Sequence, residues 1–129
     1  MKLVAFISSV LAVGTLLAAD WPSGPANKHA YLRVVIANKT ESNVDETGVY
    51  FGQHACTGGI VGAGYSKGYL GWEYPVTTNV IVRWRDARKV KKEQTVSLES
   101  VYDPKPDGAL TFTISPTNVT VEFKRIDKR

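Results

Sequence analysis

From Tyr31 onward the chain alternates. Val80, Val82 and Trp84 fall on one side of an extended segment, and Ile81, Arg83 and Arg85 fall on the other. The same period runs through Leu32, Val34 and Ile36, through Leu110, Phe112 and Ile114, and through Val119, Val121 and Phe123. Val49 and Phe51 share a face within Gly48 to Gln53, as do Val96 and Leu98 within Thr95 to Val101. A two-residue period marks a strand with one buried face. No segment keeps a helical period beyond a couple of turns. Between the strands lie Asn38 to Asp45, the charged turn Asp86 to Lys92, Asp103 to Gly108 (DPKPDG) and Ser115-Pro116. Two prolines followed by Asp-Gly cannot continue a sheet ladder. Six or seven short strands with one apolar and one polar face predict an all-β sandwich, immunoglobulin-like or transthyretin-like, with a small barrel as the alternative. The Cys–Trp–Cys hallmark of antibody domains is absent. His54 to Gly64 (HACTGGIVGAG) fits either a strand flanked by bends or a long loop.

The first nineteen residues read differently. Met1 and Lys2 precede an apolar run, Leu3 to Leu17, and Ala18-Ala19 stand just before Asp20. Charge, apolar run and small residues in that order describe a secretory signal peptide. The run is shorter than the ~20 residues of a spanning helix, and Asp20-Trp21-Pro22 follows it rather than a basic stop-transfer cluster. Cleavage is expected after Ala19, giving a secreted or periplasmic protein without a membrane span. No Cys at that junction offers a lipidation site. Residues 20 to 30, rich in Pro, Gly and polar side chains, read as a flexible leader. Residues 31 to 129 read as the single sandwich domain, with no repeat and no linker. A composition of 43% hydrophobic and 22% charged residues suits a globular chain rather than a disordered one.

Little in the sequence carries chemistry. Cys56 is the only cysteine, so no internal disulfide can form; the residue reads as a small buried hydrophobe or as a link between two chains. His54 lies two residues before it and shares its face on a strand, but the second histidine, His29, falls in the leader. No catalytic set is expected. Two histidines and one cysteine do not furnish a metal site, and Asp45-Glu46 lacks the spacing of a calcium loop, so no metal or cofactor is expected. A net charge of +4 is too small to indicate nucleic acid. Asn38-Lys39-Thr40 and Asn118-Val119-Thr120 match the glycosylation triplet.

Two clusters remain as candidates for gripping a partner. Tyr65, Lys67, Tyr69 and Trp72, with Tyr74, lie among Gly64, Gly68 and Gly71. Tyr and Trp on a glycine-rich loop are suited to interface hot spots or to stacking on sugars. Alternatively, some of them, Trp72 and Tyr74 above all, plug an open end of the sandwich. Arg83, Arg85, Arg88 and Lys91, with Lys89 and Lys92, would gather on and near one hairpin tip and steer an acidic partner, or else form a solvated, charge-guarded edge.

Gly58-Gly59, then Trp72-Glu73-Tyr74-Pro75, then Val80-Ile81-Val82-Arg83-Trp84 give a pattern that resembles small exported bacterial proteins of uncharacterised families, some of them encoded beside type VI secretion phospholipase effectors and regarded as their immunity proteins. The paired cysteines that follow the glycines in that family are absent here. The resemblance implies a periplasmic inhibitor that occludes an effector's active site without catalysis. The expectation is therefore an exported, non-enzymatic binding protein whose partner is another, acidic, protein. A carbohydrate-binding module or a surface protein presenting aromatic loops is the alternative. The oligomeric state is left open.

Overall fold

A computed structural model describes residues 29–126. The expected signal peptide and most of the expected leader lie outside the described residues. At the boundary, the Ala30 N–H donates to the Pro104 carbonyl, and Nε2 of His29 stands 2.9 Å from the Tyr74 carbonyl oxygen.

The strands are β1 (Leu32–Asn38), β2 (Val44–Phe51), β3 (His54–Val61), β4 (Ser66–Tyr69), β5 (Asn79–Arg85), β6 (Lys91–Ser97), β7 (Gly108–Ile114) and β8 (Val119–Arg125). They form two four-stranded sheets, ordered β4-β1-β7-β8 and β3-β2-β5-β6. The protein is a β-sandwich, and the separate sheets exclude the closed barrel. An immunoglobulin order would place the first, second, fifth and fourth strands in one sheet. Here the first strand instead lies between the fourth and the seventh, parallel to the seventh, which corresponds to the transthyretin-like alternative.

The alternation becomes the core directly. Leu32, Val34 and Ile36 of β1 and Leu110, Phe112 and Ile114 of β7 face Val49 and Phe51 of β2 and Val80 and Val82 of β5, all of them fully buried. Burying each such side chain contributes about 1.5 to 3 kcal/mol. Ile81, Arg83 and Arg85 turn outward, as their spacing requires.

Eight strands stand among the described residues where the pattern predicts six or seven. The additional strand is β4, which falls within the aromatic segment where the sequence predicts a loop. It is four residues long and pairs only with β1, so its sequence holds too few turns of the two-residue period to show. β6 begins at Lys91, earlier than the expected Thr95, and ends at Ser97. Register with β5 carries it through charged residues that touch no core, from Asn79 opposite Ser97 to Arg85 opposite Lys91. The turn thereby shortens to the residues after Asp86, whose carboxylate accepts from the backbone N–H groups of Arg88 and Val90. Those two bonds, with the nearby Lys92 and Arg88 charges, hold the Asp86 carboxyl below its usual range.

His54 to Val61 proves to be a strand with a bulge. Thr47 is buried, and its hydroxyl donates to the Gly59 carbonyl at 2.9 Å. A Cβ at Gly58 would sit 2.8 Å from that hydroxyl, and Gly59 adopts φ +63. Glycine is thus required on β3 both for close approach and for a left-handed backbone. Gly52, also at φ +63, opens the two-residue turn between β2 and β3.

Asn38, a glycosylation candidate placed in a loop by sequence, is buried at the end of β1. Its Nδ2 donates to the carbonyls of Ser42 and Val61, and its Oδ1 accepts from the N–H and hydroxyl of Thr40. The amide is saturated and braces three segments, leaving no room for a sugar in the folded domain. Asn118 remains exposed, on the turn between β7 and β8.

Candidate interaction site

The two candidate clusters lie on different parts of the sandwich. Register places β4 against β1 so that Tyr69 is opposite Val34 and Lys67 opposite Ile36. Directly opposed residues share a face, and Val34 and Ile36 point into the core. Lys67 and Tyr69 therefore project to the inner side of an edge strand, over the gap between the two sheets. Across that gap runs β3, the edge strand of the other sheet. Between them is a groove of about 480 Å³, lined by Ile36, Cys56, Gly58, Lys67, Tyr69 and Leu70. Tyr65 stands at the turn before β4 and is 73% exposed; its ring lies against Gly62, where a Cβ would come within 3.1 Å.

Trp72 does not join this surface. Of the two readings the sequence allows for it, display on the loop and a plug for the open end of the sandwich, the second holds, for it is only 2% exposed. Its backbone N–H donates to the Leu32 carbonyl at 2.8 Å. Its ring packs 4.9 Å from Phe51, and Tyr69 and Tyr74 close over it edge-on at 5.5 and 5.2 Å. The strands leave the core open at this point, and the indole fills it. Tyr74 is half outside, stacked on the His54 ring at 4.1 Å. His54 thus faces an aromatic ring. The Cys56 thiol is buried and free, and burial pushes it up to about 11.

Sequence reasoning missed two members of the surface, Ile60 and Leu70, which are 58% and 65% exposed. Ile60 follows the bulge at Gly59, which turns it outward. Leu70 follows β4 directly. An apolar residue beside a glycine in a segment without period was the available signal.

On the β5–β6 hairpin the basic residues divide. Arg85 makes a two-pronged ion pair with Asp45, at 2.8 and 2.9 Å, and reaches Glu46. Lys89 also approaches Asp45, and Lys92 approaches Asp86. Arg83 bonds Glu93 at 2.9 Å and lies over the Tyr50 ring. The Arg85 guanidinium holds the Asp45 carboxyl below its ordinary range, and Asp45 in turn raises Arg85. Arg88 and Lys91 have no carboxylate within ion-pair distance among the described residues. Of the four expected steering residues, those two make no ion pair, and Arg83 and Arg85 hold the hairpin and β2 together.

No helix among the described residues is long and apolar enough to cross a membrane. No family model matches the chain, and no curated protein matches it. Among solved structures the chain is similar to a protein from Eubacterium rectale determined by NMR, at 13% identity and a TM-score of 0.49, over 81% of this chain and 97% of that one.

Proposed function

We propose that this is an exported, non-catalytic binding protein that holds another protein through the flank formed by β3, β4 and the segment up to Tyr74. One observation carries the reading. Of the large apolar side chains left exposed among the described residues, Ile60, Tyr65, Tyr69, Leu70 and Tyr74 belong to this flank, and Tyr31 adjoins it beside Gly71. Val90 is the exception. Single exposed apolar residues are ordinary, whereas a gathered set marks an interaction surface. Aromatic anchors on a rigid sheet lose little freedom on binding. Export is supported by the N-terminal sequence. The inhibitor of a secreted toxin, occluding an effector's active site, is the form of this reading that the resemblance to immunity proteins supports. A sugar-stacking role has less support, because Trp72 is enclosed.

Affinity capture of the tagged protein from its native host tests the proposal. A specific protein recovered with wild type and lost with Tyr65→Ala combined with Leu70→Ser supports it. Equal recovery by the folded double variant overturns it.

A further inference from the structure

The two edges on the far side of the sandwich are guarded. β6 carries Lys91, Lys92 and Glu93, and β8 carries Glu122, Lys124 and Arg125. Such charges keep free edges from pairing. β3 carries no acidic or basic residue other than His54, which is stacked on Tyr74. Its regular part runs from His54 to Thr57 and ends at the Gly59 bulge. Along it the outward side chains are Ala55 and Thr57, small enough for another backbone to approach. Below lies the groove floored by Ile36 and Cys56 and bordered by Tyr69 and Leu70. One charge stands over that apolar floor. Lys67 projects inward from β4 and has no acidic partner among the described residues. An inward lysine repels an ordinary apolar strand; a strand that brings its own carboxylate neutralises it.

Resting on the proposal that this flank is the contact surface, we infer that it accepts an extended acidic segment of the partner as a short added strand. The segment pairs along His54 to Thr57, places apolar side chains at alternate positions in the groove, and sets an Asp or Glu against Lys67. Main-chain bonds supply affinity and the alternate side chains supply specificity in this mode of recognition.

Selection of a random hexapeptide display library on the full mature protein tests this. Alternating apolar residues with Asp or Glu are expected to be enriched. A selected peptide should slow exchange of the β3 amides that do not bond β2, leaving those of β6 unchanged. Lys67→Glu should weaken that peptide roughly tenfold and turn the selection toward Lys and Arg. Enrichment without acidic residues, protection elsewhere than β3, or no enrichment would overturn the inference. So would a concentration-dependent dimer in sedimentation that Lys67→Glu abolishes, which assigns the edge to a second copy. Natural-partner capture lost with Tyr65→Ala combined with Leu70→Ser but unchanged with Lys67→Glu sinks this inference alone. Capture unchanged by that double variant sinks the broader proposal.

Discussion

The Trp72 ring lies 4.9 Å from the Phe51 ring, and Phe51 in turn meets Phe112 edge-on at 6.3 Å. This contact ties the crossing between β4 and β5 to the centre of both sheets. Replacing Trp72 with Ala leaves a void that the surrounding strands cannot fill, and is expected to cost about 3 to 5 kcal/mol. Urea denaturation followed by circular dichroism measures it. A loss below about 1 kcal/mol would show that the indole is not structural.

Asn38 predicts a second, independent loss. Asn38→Ala removes one side chain, leaves the Val61 carbonyl and the Thr40 N–H without its amide, and leaves the Ser42 carbonyl with only the Thr40 hydroxyl. Destabilisation of about 2 kcal/mol is expected, read from the same denaturation curves. Asn38→Asp should not restore stability, because a carboxylate cannot donate to those two carbonyls.

Acid should loosen the β2–β5–β6 face. Asp45 and Asp86 both titrate below the ordinary carboxylate value, Asp45 chiefly through its bonds to Arg85 and Asp86 chiefly through the Val90 N–H. A depressed group adds stability that is present in full above its unfolded range, near about 4, and is lost as pH falls through the folded value. Thermal midpoints should therefore hold steady down to the ordinary carboxylate range and drop below it. Asp45→Asn should flatten that drop. An unchanged profile in the variant would remove Asp45 from the account.

Cys56 should be inert in the native protein. With the thiol pushed up to about 11 by burial, its thiolate is scarce at pH 8, and the thiolate is the reactive form. Alkylation at pH 8 should proceed only after denaturation. Rapid labelling of the folded protein would contradict the burial.

Arg88→Glu combined with Lys91→Glu should slow capture of an acidic partner, most strongly at low salt, because exposed charges are screened within about 10 Å at 0.1 M. Surface plasmon resonance across a salt series reads this as a fall in on-rate. Arg85→Ala should act differently: it breaks the Asp45 pair and lowers stability. A salt-independent result for the double variant would exclude steering.

Side-chain alternation is a local property, so the residues of β1, β5, β7 and β8 announced their own inner faces, half of the buried apolar core, without help from the rest of the chain. Tyr65, Lys67 and Tyr69 were legible in the same way, as aromatic and charged residues among glycines. Which strands stand side by side is a different matter. β1 lies parallel to β7, far away in sequence, and no local pattern encodes a partner. Long-range packing also decided that Trp72 fills the core while its neighbours remain outside, since the vacancy it occupies exists only once Phe51 and Phe112 have met. It decided equally that Arg85 pairs with Asp45 while Arg88 makes no ion pair among the described residues. Burial and charge pairing are properties of the assembled sheets, and the linear chain holds them only as possibilities.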